Sequence, residues 1–179
     1  MVGQPAPGQE VRDGLTATSG RGIVAPLPSP CNFMKPTPAG WPRISPGVYY
    51  RDAGAMIDWL CRAFGFEVRL KFVADDGRIE HSELSFGEGL IMVGEELSGP
   101  SRRFETDRLS PLRARCNTQN LMVFVDDVDS HCEKARAAGA QVVAEPELQD
   151  YGDGYWADRS YGVLDPEGHL WWFTQRVRG

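Results

Sequence analysis

The sequence predicts an α+β fold built from two tandem βαβββ units, and three observations predict it. First, one stretch with apolar residues at three- and four-residue spacing is followed by three stretches of alternating character, and that order then occurs a second time. Second, the segment YYRDAGAMIDWLCRAFGFEV is answered by VFVDDVDSHCEKARAAGAQV at an offset of roughly 75 residues, the mark of an internal duplication. Third, nine of the 13 prolines precede Gly47, so regular structure is expected only after that point.

The elements follow in order. Residues 1–40 read as a disordered, Pro-rich arm, and Met34 is a candidate translation start just before the ordered pattern. The remaining residues, 41–179, form one domain. Its first unit covers about 43–97, a connector 98–118, and its second unit about 119–176. A short strand at 48–50 leads to Asp52, which caps a helix running to Phe64, and Gly65 stops it. Met56, Leu60 and Ala63 make the apolar face of that helix. Strands are then expected at 67–73, 79–86 and 90–93, with turns at Asp75-Asp76-Gly77 and Gly87-Glu88-Gly89. The second unit repeats the plan. A strand at 121–125 precedes a helix capped by Asp126 or Asp127, with Val128, Cys132 and Ala135 facing inward and Gly139 as the stop. Strands at 141–144, around 157–164 and at 169–175 complete it.

Composition sets limits on function. Apolar residues at 41% and charged residues at 25% suffice for a real core. A net charge of -6 opposes nucleic acid and anionic membranes as partners, since both demand a positive field, and leaves a neutral or cationic small molecule open. No apolar run is long enough to span a bilayer and no signal-peptide pattern opens the chain, so a cytoplasmic protein with reduced thiols is expected. Cys31, Cys61, Cys116 and Cys132 form no CxxC pair. GxSxG, the P-loop pattern and a GxGxxG at a strand-to-helix junction are all missing. Cys116 lies beside an Arg-rich connector, but no base is in view to activate it.

Two βαβββ units in tandem, with YYRDAGAMIDWLCRAFGFE, DVDSHCEKARAAGA and YGVLDPEGHLWWF as their sharpest pieces, resemble the vicinal oxygen chelate superfamily over about residues 43–176. That group contains glyoxalase I, bleomycin resistance proteins and extradiol dioxygenases. The resemblance implies the glyoxalase/bleomycin resistance fold, in which each unit curls a mixed sheet into a half-open cup with its helix on the convex side. It also implies a homodimer, often with a cleft completed across chains. Enzymes of the group hold a divalent metal on side chains from the first and fourth strands of both units, where it chelates neighbouring substrate oxygens. Carried onto this chain, those positions fall at Ser45, Met92, Asn120 and Trp172, none of them a good divalent-metal ligand. Neither a metal nor another cofactor is therefore expected.

What occupies these positions directs the functional reading. With Trp172 and Met92 inward, alternation sets Tyr49, Asn120, Met122 and Phe124 inward as well. They would line an aromatic cleft for a planar or amphipathic small organic molecule, or else pack the two half-cups together. His81 and Glu83 alternate along one strand and share its face, as a polar pair on the wall or as two of the ligands of a divergent metal site. Arg159 and Tyr161, beside the aromatic run Tyr151-Gly152-Asp153-Gly154-Tyr155-Trp156, are further ligand-binding candidates, with Arg159 able instead to pair with Asp158. His131 is expected in solvent and His169 in a structural role. The resulting expectation is a binding protein of the resistance or sequestration type. The alternative is a lyase, isomerase or dioxygenase acting through His81 and Glu83.

Overall fold

Strand β1 (Gly47–Tyr50) starts immediately after Pro46, the last of the clustered prolines, once every residue again offers a backbone donor. The structure is a computed structural model that describes residues 35–99 and 105–179. The greater part of the expected arm, with Met34 and Cys31, lies outside the described residues. The chain divides at Pro36, and all eleven described elements belong to the unit running from Thr37 to Gly179.

Helix α1 (Ala53–Phe64) begins where expected, because the Asp52 carboxylate accepts the otherwise orphaned Ala55 N–H at 2.9 Å. It ends at Gly65, whose φ of +86° suits glycine and lets its N–H reach the Cys61 carbonyl. β2 (Glu67–Val73), β3 (Ile79–Phe86) and β4 (Gly89–Glu95) follow as antiparallel hairpins, and β4 pairs in parallel with β1, in the order β1-β4-β3-β2.

The second unit repeats this plan with β5 (Asn120–Phe124), α3 (Val128–Ala137), β6 (Gln141–Asp150), β7 (Ala157–Leu164) and β8 (Leu170–Arg178), in the order β5-β8-β7-β6. Asp127, not Asp126, caps α3 by accepting from the Ser130 N–H at 3.0 Å. Three details depart from expectation. The connector contains a single helical turn, α2 (Pro111–Ala114), started by a proline whose missing N–H costs nothing at that position. β6 continues six residues past Ala144, because Pro146 falls in a register irregularity on an edge strand where no ladder bond is lost. β8 runs on to Arg178, paired with Ala157.

Each sheet turns one face toward α1 and α3. Val48, Tyr50, Leu84 and Val93 from the first sheet and Tyr161, Val163, Trp171 and Phe173 from the second join the helices in one buried cluster. Phe64 of α1 lies 4.7 Å from the Phe173 ring and 5.4 Å from that of Trp171, so the first helix is embedded in the second unit. Burying each such side chain contributes about 1.5–3 kcal/mol.

The Asp-Pro-Glu-Gly turn between β7 and β8 fastens the units together. The buried Asp165 carboxylate accepts from the backbone N–H groups of Glu167 and His169, from the Tyr50 hydroxyl at 2.7 Å and from Trp171 Nε1 at 3.1 Å. Burial, and the negative charge of Asp165 beside it, push the Tyr50 hydroxyl well above the usual range, so it stays a donor. Glu167 accepts from the N–H groups of Arg51 and Asp52 at the entrance to α1, and His169 Nε2 donates to the Tyr49 carbonyl at 3.0 Å. Asp165→Ala leaves four donors without this acceptor. The expected loss, read by denaturant unfolding, is about 3 kcal/mol or more, since each buried unpaired group costs about 1–3 kcal/mol.

Candidate functional site

The faces turned away from the shared core carry most of the sequence-selected residues, because strand side chains alternate. On the first sheet Ser82, Leu84, Ile91 and Val93 are buried on the core side, which leaves His81, Glu83 and Met92 on the other. The register aligns Gly47, Met92, Glu83 and Leu70 across four strands. Tyr49 lies on the same face with its ring against Gly94, and the Arg108 guanidinium is 5.2 Å from that ring. Glu83 is deeply buried. His81 Nε2 donates to its Oε1 at 3.1 Å, and Arg69 Nε lies 3.5 Å from its Oε2. A register break between Val68 and Leu70 turns Arg69 onto this face beside Leu70, where it also donates to the Gly40 carbonyl and meets the Trp41 ring at 5.1 Å.

On the second sheet the corresponding face carries Asn120, Met122, Phe124 and Trp172. Gly162 allows Trp172 to lie flat on β7, since a Cβ there would stand 3.2 Å from the indole ring. Met122 and Phe124 are 60% and 49% exposed, a large apolar area left in water. The Arg176 guanidinium lies 5.5 Å from the Phe124 ring and 5.4 Å from that of Trp156, held by an ion pair with Asp158. A cavity of about 890 Å³ runs along β5, with Ile44, Phe86, Leu90, Met122, Phe124 and Arg176 in its wall. β5 is the edge of its sheet, so the backbone on its outer side also borders this space.

The candidates lie on the outer faces of two sheets, and the cavity along β5 is bordered by residues of both units, Leu90 of the first and Met122 of the second among them. Tyr49, His81, Glu83 and Met92 share one face and Asn120, Met122, Phe124 and Trp172 another, because the helices occupy the opposite side of both sheets. Two candidates fall outside these faces. Tyr161 is fully buried in the core. Arg159 pairs not with Asp158 but with Asp129 of α3, at 2.7 and 2.9 Å, since successive strand residues point to opposite faces.

His131, expected in solvent, instead bridges the units. Its Nε2 donates to the Phe64 carbonyl at 3.0 Å, which leaves Nδ1 to accept from the Tyr161 hydroxyl at 2.7 Å. Sequence reasoning also passed over Arg69 and Arg176. The first is visible only through the bulge, and the second only through the fold of β8 beside Trp156.

The four positions where the family's metal ligands would stand hold a hydroxyl, a thioether, an amide and an indole, which do not fit a divalent cation. Among the described residues no group of three or more His, Cys, Asp or Glu is placed to hold one. No described helix is long and apolar enough to cross a membrane.

Comparison with known proteins places this geometry. The model of the Glyoxalase/Bleomycin resistance protein/Dioxygenase superfamily matches residues 43–173. The uncharacterized protein Rv0887c of Mycobacterium tuberculosis is 28% identical over 137 residues, 76% of either chain. TioX from Micromonospora sp. ML1 superimposes with a TM-score of 0.58 at 31% identity, covering 74% of this chain and 98% of that one. An integron cassette protein from Vibrio cholerae shares the fold, with a TM-score of 0.53 at 18% identity over 73% and 91% of the two chains.

Burial holds the His131 imidazole below its usual range, against a smaller opposing effect from the Phe64 carbonyl. Above the unfolded pKa near 6.5 the ring is neutral in both states, and below it the unfolded chain takes up the proton first, so stability is lost as pH falls through the depressed folded value. The melting temperature is expected to drop from pH 7 to 5, and His131→Gln to flatten that component of the profile.

Proposed function

The chain belongs to the Glyoxalase/Bleomycin resistance protein/Dioxygenase superfamily, and on that scaffold we propose that it binds and sequesters a small organic molecule without a metal, in the manner of a resistance protein. The supporting observation is chemical. The resemblance assigns Met92 and Trp172 to two metal-ligand positions of the family, and Met122 and Phe124 extend an exposed apolar surface beside Trp172. Such a surface suits ring stacking and area burial, with a few polar groups to set orientation.

A homodimer completes the site in this reading. β1 and β5 are the equivalent strands of the two units and both are open sheet edges. A second copy with β1 beside β5 would set the face of Tyr49, His81, Glu83 and Met92 opposite that of Asn120, Met122, Phe124 and Trp172. Two such contacts related by a two-fold axis would bury the exposed apolar side chains. A cytoplasmic location and independence from nucleic acid accord with the acidic charge and the Cys usage.

One observation favours a second reading. The imidazole of His81 on the buried carboxylate of Glu83 is a pair able to hold and pass a proton, the requirement for a lyase or isomerase. Elemental analysis of protein purified without chelator tests the metal-dependent form of that enzyme against metal-free sequestration. Absence of stoichiometric metal is expected, whereas stoichiometric zinc, nickel, manganese or iron would overturn metal-free sequestration.

A thermal-shift screen against glycopeptides, aromatic antibiotics and thiol conjugates is expected to yield a stabilising ligand. At 100 times its Kd a ligand adds about 2.7 kcal/mol, worth roughly 5–10 °C in a chain of this size. Trp172→Ala removes that shift. A shift unchanged in the variant would place binding elsewhere.

A further inference from the structure

Glu83 is unusual among the buried acids of this fold. Asp165 and Glu167 have their acceptor capacity taken up by backbone and side-chain donors at the unit junction. The side chain of Glu83 is 7% exposed, and among the described residues the hydrogen bond it receives is at Oε1, from His81. Arg69 stands 3.5 Å from Oε2, near enough to neutralise it but making no hydrogen bond to it. Oε2 is not among the buried polar atoms left without a partner, so it is not sealed away, and a donor arriving on the outer face of the sheet can compete with Arg69 for it.

Arg69 itself is held elsewhere. Its Nη1 donates to the Gly40 carbonyl at 2.6 Å, and its guanidinium lies against the Trp41 ring. Gly40 and Trp41 sit in a turn closed by the Trp41 N–H on the Pro38 carbonyl, with Gly40 at φ +73°. The turn and Arg69, with Ser85 and Leu90, border a second cavity of about 690 Å³. A cation from the β2 bulge is thus shared between the carboxylate and a turn on the N-terminal side of β1.

We propose that Glu83 is the recognition point for a ligand bearing a positively charged N–H group, an ammonium or amidinium, which takes Oε2 in place of Arg69 and frees the turn of residues 38–41. The inference rests on the cleft-binding reading above and adds the charge of the ligand to it. Arg69 is then a resident competitor. It keeps the buried carboxylate neutralised in the free protein, and its loose contact makes the exchange inexpensive. His81 orients the carboxylate from the other oxygen, and Met92, aligned with Glu83 in the next strand, supplies the apolar floor beside it.

The test uses three probes with one ring system and different substituents: 2-naphthylmethylammonium, 2-naphthoate and 2-methylnaphthalene, titrated into the full chain by calorimetry. The ammonium is expected to bind about tenfold or more tighter than either of the others, the value of one charge-assisted hydrogen bond. In Glu83→Gln the three probes should converge to within about threefold, while the methyl compound binds as before. Arg69→Gln, which leaves Glu83 in place, should tighten the ammonium several-fold and accelerate amide exchange in residues 39–41. It decides the matter even where Glu83→Gln fails to fold. A preference that survives Glu83→Gln, or an ammonium weakened by Arg69→Gln, overturns the proposal. Equal binding of all three probes overturns it too, and leaves the cleft reading intact. Binding by none of them overturns the cleft reading and this inference together.

Discussion

The carboxylate of Asp165 joins what the sequence repeats. Two βαβββ units cannot become one domain by similarity alone, because each has a face that must be covered by something specific. Asp165 collects donors from its own turn and from Tyr50 and Trp171, one on each sheet, and so sets the position of the second unit's last hairpin against the first unit's first strand. Glu167 and His169, two and four residues on, bind the backbone at Arg51, Asp52 and Tyr49. In a low-dielectric junction such a network holds only when every member is paired, which makes it specific as well as strong. The packing of Phe64 on Trp171 and Phe173, and the seat of His131 between α1 and β7, both lie within the arrangement this clasp fixes.

Once the inner faces are committed to the core, the outer faces are free to diverge. They have done so in opposite directions. The first unit carries a buried acid with an imidazole and a guanidinium beside it, and the second an indole laid on a glycine with an exposed thioether and phenyl ring. One outer face thus offers charge and the other a surface for ring stacking.

Particular residues show how far the sequence could be read. Asp52 and Gly65 announced α1 to the residue, since capping is local chemistry within one turn. That His81 and Glu83 share a face was legible because alternation needs only the strand, whereas Met92 joins them through the β3–β4 register. His131 was misjudged, because its helix neighbours are polar and its partners, Phe64 and Tyr161, are 67 and 30 residues away. Tyr161 was drawn to the cleft by nearby aromatics, although its parity in β7 puts it in the core with Val163. Arg69 escaped because a bulge breaks the very periodicity that assigns faces.

The sequence by itself determined the α+β class and the two units with their order of elements. These follow from periodicity, capping and proline, which act over a few residues, and from repetition, which is visible without coordinates. Only the tertiary structure decided that the helices take the inner side of both sheets. It also decided that the outward candidates lie on the outer faces of both sheets, that Asp165 clasps the units, and that Glu83 is largely buried between His81 and Arg69. Those outcomes depend on which distant surfaces meet, and the free energy that selects among such meetings resides in contacts between residues far apart in the chain.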